Sequence, residues 1–110
     1  MKTLKEILME AADLIDERGR AVDMFYSTKQ DCYCMVGAIG YAAEIYNPGF
    51  PDYAFWENPI IEEACEAIVK LNNLLPKPSV ARSVNYLFEF NDNNFAADIA
   101  DLLRKTAEAL

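Results

Sequence analysis

The chain contains no histidine, only four glycines in 110 residues, and ten Lys and Arg against eighteen Asp and Glu. Each shortage excludes something. Without imidazole there is no ready base for a serine or cysteine nucleophile and no imidazole metal ligand. A formal charge of −8 leaves no basic surface for nucleic acid or anionic membrane, both of which it repels. No apolar run approaches the roughly 18 residues of a membrane span. There is no glycine-rich phosphate loop, because Gly37 and Gly40 fall inside an apolar stretch with no lysine after them. The opening Met1-Lys2-Thr3-Leu4 is not a leader pattern, so a cytoplasmic location is expected. There the thiols of Cys32, Cys34 and Cys65 stay reduced.

A hydrophobic fraction of 53% argues against disorder, and the length suits one domain over residues 1–110. The periodicity predicts an all-α bundle of about five helices. Thr3 and Glu6 form a capping box, followed by Leu4, Ile7, Leu8, Ala11, Leu14 and Ile15 on one helical stripe, with Gly19 as stop. Residues 20–33 read as a short β-hairpin or an ordered loop, with Ser27 to Asp31 as its polar turn. A second helix, about Cys34 to Tyr46, is apolar nearly all round and belongs at the centre of the fold. Gly37 and Gly40 lie three apart on it, where close approach of another helix is expected. Asn58 and Pro59 start a third helix, and a fourth runs from Ser79 to about Phe90. Asn91 to Asn94 read as a turn, with Asn94 capping a fifth helix from Phe95 to about Ala109.

Three constellations bear on function. Cys32-x-Cys34 has thiolate spacing for a soft metal, but no further ligands complete a zinc set, so no metal or cofactor is expected. The plain reading of all three cysteines is small buried hydrophobes. Cys34 also starts a helix, which would lower its pKa and make it reactive. The carboxylates Asp13, Asp16, Glu17, Glu62 and Glu66 sit on polar helix faces, so either they only keep the domain soluble or they meet a basic partner. The aromatic group Phe50, Tyr53, Phe55 and Trp56 lies in a proline-containing loop and either lids the core or anchors a partner.

The order of these features resembles an uncharacterised family of small helical domains found in bacterial and phage genomes. Ala11 to Ile15 resembles its first helix, and Cys34-Met35-Val36-Gly37-Ala38-Ile39 its central Cys-x-x-Gly-Ala-aliphatic run. Phe90-Asn91-Asp92 with Leu102-Leu103-Arg104 resembles its closing Trp-Asn-Asp and last helix. Phe90 replaces the usual Trp, Phe95 replaces a usual Thr, and residues 47–60 and 76–83 match poorly. The resemblance implies a helical fold, brings no activity, and marks Cys34, Gly37, Asn91 and Asp92, for which the plain roles are close packing and helix-end capping.

The expectation is a non-catalytic, acidic protein-interaction module whose partner has a basic surface. It would occlude a nucleic-acid-binding groove, by analogy with phage-encoded inhibitors of host defence, and bind no nucleic acid or membrane itself. Catalysis is not the expected role. The alternative is a small-ligand or enzymatic pocket around Cys34, Asn91 and Asp92, and a homodimer through the apolar loop is a third reading.

Overall fold

The computed structural model describes residues 2–48 and 55–110. Five helices, α1 (Leu4–Arg18), α2 (Met35–Ala42), α3 (Pro59–Leu71), α4 (Val80–Asn93) and α5 (Ala96–Glu108), surround one core. Strands β1 (Tyr26–Ser27) and β2 (Cys32–Tyr33) pair antiparallel between α1 and α2, and a 3-10 turn, Phe55–Glu57, precedes α3. The fold is therefore the expected helical bundle with a small hairpin.

Local chemistry sets the helix ends. Thr3 Oγ1 accepts the Glu6 N–H at 3.2 Å while Glu6 returns to the Thr3 N–H, so the predicted capping box is present. Asn58 caps α3 ahead of Pro59, as its sequence signature demands. In α2 the cap is Cys34, whose Sγ accepts the Gly37 N–H at 3.3 Å.

Residues 35–40 and Ala42 are buried, and α2 packs against α1, α3, α4, the hairpin and the 3-10 turn. An apolar helix has no wet face and needs neighbours on every side. Around it, Leu8 and Ile15 from α1, Ile61 and Ile68 from α3, Leu87 from α4, and Ile99 and Leu103 from α5 are fully enclosed.

Four expectations are corrected. First, α2 stops at Ala42, not Tyr46, because Glu44 turns left-handed at φ 63°. Its N–H bonds Tyr41 O, and the Ile45 N–H bonds Gly40 O, both at 3.0 Å. This is the Schellman closure, with glutamate where glycine is usual.

Second, residues 91–93 are helical rather than a turn. The Asn93 and Asn94 side-chain amides each donate to the carbonyl four residues back, on Glu89 and Phe90, at 2.8 Å. They satisfy carbonyls that a helix end leaves open. Third, Asn94 closes α4 and does not cap α5, whose cap residue is Phe95.

Fourth, the glycines of α2 do not admit another helix. A Cβ on Gly37 would lie 2.3 Å from the Phe25 carbonyl oxygen, so the hairpin's backbone rests there. A Cβ on Gly40 would lie 2.7 Å from the Phe55 ring. Phe55 stacks on Tyr46, with centroids 4.4 Å apart, and meets Phe25 edge-on at 4.9 Å.

Candidate functional site

Two concavities merit attention. The larger, about 550 Å³, lies between α1 and the end of α2. Glu10, Asp13 and Glu17 recur every three to four residues on α1, so helical geometry places them on one ridge. The left-handed turn after α2 brings Glu44 to the opposite wall, and Tyr41 and Tyr46 supply rings. Lys2 is the one cation among the lining residues. It is half-buried, pairs with Glu10 at 2.7 Å, and has its pKa raised above the ordinary lysine value, first through that hydrogen bond.

The smaller concavity, about 230 Å³, is lined by Asp23, Met24, Phe25, Cys34, Phe88, Asn91 and Asp92. It lies over a hydrogen-bonded junction. Asn91, 1% exposed, accepts the Met35 N–H at 2.9 Å and donates to the Ala21 carbonyl at 2.7 Å. Asp92 Oδ1 accepts from the Asp23 N–H and from Asn91 Nδ2. The Cys34 N–H donates to the Phe25 carbonyl at 3.0 Å, the same carbonyl that faces Gly37. Cys34, Gly37, Asn91 and Asp92 thus meet where the chain between α1 and α2 is fastened onto α2 and α4.

Burial, not the helix start, governs Cys34. The residue is buried, and desolvation pushes its thiol up to about 11 despite the Gly37 N–H it accepts. The plain reading of the three cysteines as small buried hydrophobes holds. The lowering that a helix start alone would give Cys34 is not realised, because losing water around a thiolate outweighs a few helix-end amides. Cys65 is buried and pushed up to about 12, also by desolvation, and Cys32 is buried too. We expect iodoacetamide at about pH 8 to alkylate all three far more slowly than free cysteine, which titrates near 8.5. Mass spectrometry of the native protein checks this, and fast labelling of Cys34 would restore a reactive-thiol reading. Among the described residues, no three Cys, Asp or Glu side chains are grouped to hold a metal.

The other candidate residues are dispersed. Asp13 pairs with Arg104 at 2.9 Å while lining the larger cleft, and Asp16 pairs with the same guanidinium on the α5 side. Glu66 is committed to Lys70, and Glu62 lines a separate hollow beside Trp56. Phe55 is buried, so it serves the core and offers no surface to a partner. Trp56 is half-buried and stacks on Phe25 at 5.4 Å. Tyr53 and Phe50 lie outside the described residues.

Sequence reasoning missed Glu10, Glu44 and Lys2. The spacing of Glu10 with Asp13 and Glu17 was an available signal, whereas nothing local announced that Glu44 would join them. No helix of the described residues is long and apolar enough to cross a membrane.

No curated protein and no solved structure matches the chain. The profile of a family of unknown function, DUF6197, matches residues 1–109, and the chain belongs to that family.

Proposed function

We propose that this protein is a non-catalytic interaction module that receives a cationic segment of a larger protein in the cleft between α1 and the end of α2. The observation that carries the reading is the gathering of Glu10, Asp13, Glu17 and Glu44 around one cleft walled by Tyr41 and Tyr46. Carboxylates attract and orient a basic surface, and rings add a face for cations. The charge of −8 extends that attraction beyond the cleft. A nucleic-acid-binding groove on the partner fits best, since carboxylates can occupy the places phosphates would take. The protein then acts as an inhibitor by occlusion, as an anti-defence protein of a phage would.

Calorimetric titration with an octalysine peptide tests the reading. Binding should weaken steeply as salt rises from about 0.05 to 0.5 M, where screening shortens the reach of exposed charges severalfold. The double variant Glu10→Gln/Glu17→Gln should raise the Kd by about three- to thirtyfold, the product of two exposed pairs. Glu62→Gln/Glu66→Gln, with the same charge change elsewhere, should do much less. Equal effects from the two double variants would locate binding outside the cleft and refute the assignment.

The smaller concavity favours a second reading, a small-ligand pocket. Met24, Phe25 and Phe88 offer apolar contact, and the half-buried Asp92 offers a polar anchor. A small amine with an apolar body suits that lining, and it needs no thiol chemistry from Cys34.

A further inference from the structure

The acidic cleft already contains an ammonium. Lys2 Nζ donates to Glu10 Oε2 at 2.7 Å and to the Ala42 carbonyl oxygen at 2.8 Å. That carbonyl is open for a definite reason. The closure of α2 uses Ile39 O for the Ala43 N–H, Tyr41 O for the Glu44 N–H, and Gly40 O for the Ile45 and Tyr46 N–H groups. Ala42, the last residue of the helix, keeps its acceptor at the end where the helix carries partial negative charge. A carboxylate and a backbone carbonyl together match the hydrogens of one tetrahedral nitrogen. A planar guanidinium is served best by both oxygens of a single carboxylate.

We infer that the cleft is a lysine-selective site, that a partner's lysine side chain takes the place Lys2 holds, and that Lys2 is a tethered competitor which must leave first. This rests on the interaction reading above and adds the chemistry of the partner and a brake on its binding. The competitor is weakly held. Its partner Glu10 is half exposed, and the side-chain exposures of the pair are 31% and 48%, so the ion pair is of the kind that contributes little in water. Seating about 60–85% of the time follows from such a pair, and the apparent affinity for a second ammonium falls by the unoccupied fraction.

The test compares the wild type, Lys2→Met and Lys5→Met by calorimetry with octalysine and octaarginine, with far-UV circular dichroism to check the fold. Lys5 is exposed and absent from the cleft lining, so its variant reproduces the charge change alone. Lys2→Met should bind octalysine about two- to sixfold tighter than wild type, and clearly tighter than Lys5→Met does. Octaarginine should bind Lys2→Met more weakly than octalysine. Equal octalysine affinity in the two variants overturns the competitor role while leaving the interaction reading intact. Octaarginine binding as tight as octalysine overturns lysine selectivity. Failure of octalysine to bind any form takes down the interaction reading together with this inference.

Discussion

Replacing Gly37 with alanine is expected to destabilise the protein by about 3 kcal/mol, the upper part of the range for overpacking a closed interior. Helix propensity alone argues the other way, since alanine is favoured over glycine by about 1 kcal/mol in a helix. Contact decides the sign. The new Cβ would sit 2.3 Å from the Phe25 carbonyl oxygen and 3.1 Å from its carbon. That oxygen is backbone and is held by the Cys34 N–H, so it has no rotamer with which to retreat. The segment leading into β1 must lift off α2, and the Phe25 ring loses its neighbours Phe55, Trp56 and Phe88. Urea titration should show the midpoint falling by about 1–3 M. Gly40→Ala should cost less, because its obstacle is the Phe55 ring and the Tyr46 Cβ, and a ring can turn. A neutral or stabilising Gly37→Ala would mean that the hairpin does not rest on α2 as described.

Asn91→Ala should be comparably damaging, by about 2–6 kcal/mol. Truncation strips the Met35 N–H and the Ala21 carbonyl of a buried partner at once, and each such group costs about 1–3 kcal/mol when left unmade. Asn91→Asp separates the two halves of the role. It keeps an acceptor for the Met35 N–H but turns the donor toward Ala21 O into a carboxylate oxygen, beside Asp92. Burial and the like charge raise the folded-state pKa of the introduced carboxyl above its unfolded value of about 3.9. A raised folded pKa means the folded state holds the proton more tightly, so stability drops as pH rises through that window and returns as pH falls. Thermal melts of Asn91→Asp between about pH 4 and 7 should therefore show a recovery toward acid that the wild type lacks. The same melting temperature for Asn91→Ala and wild type would remove Asn91 from any structural role.

Whether a feature is legible in the sequence depends on whether neighbouring residues or distant ones build it. Caps made by adjacent residues are local, so Thr3 with Glu6, and Asn58 with Pro59, announced α1 and α3 correctly. The apolar run after Cys34 announced a buried helix because composition and burial are tightly linked. Its end was hidden, since Glu44 adopts a left-handed conformation that nothing in glutamate advertises. The asparagines at 91–94 read as a turn by propensity. In the fold their side-chain amides serve helix carbonyls and the Ala21 carbonyl instead, a tertiary use that propensity cannot express.

The acidic cleft was half visible. Asp13 and Glu17 fell on a polar ridge in the sequence, but the wall bearing Glu44 and the seat of Lys2 depend on how α2 closes against α1. For Cys34 the two sequence signals differ in kind. Its position at a helix start is local and favours a reactive thiol, whereas its apolar surroundings favour a small buried hydrophobe, and burial decides.

Trp56 gives the molecule its own optical probe. It is the single tryptophan in the chain, and its indole lies flat against Phe25, the residue whose backbone rests on α2 and whose side chain walls the smaller concavity. Its emission is therefore tied to the packing of a ribbon too short to persist in water alone. Detachment of that ribbon, or entry of a small molecule beside it, changes the polarity around one fluorophore, with no dye and no substitution required.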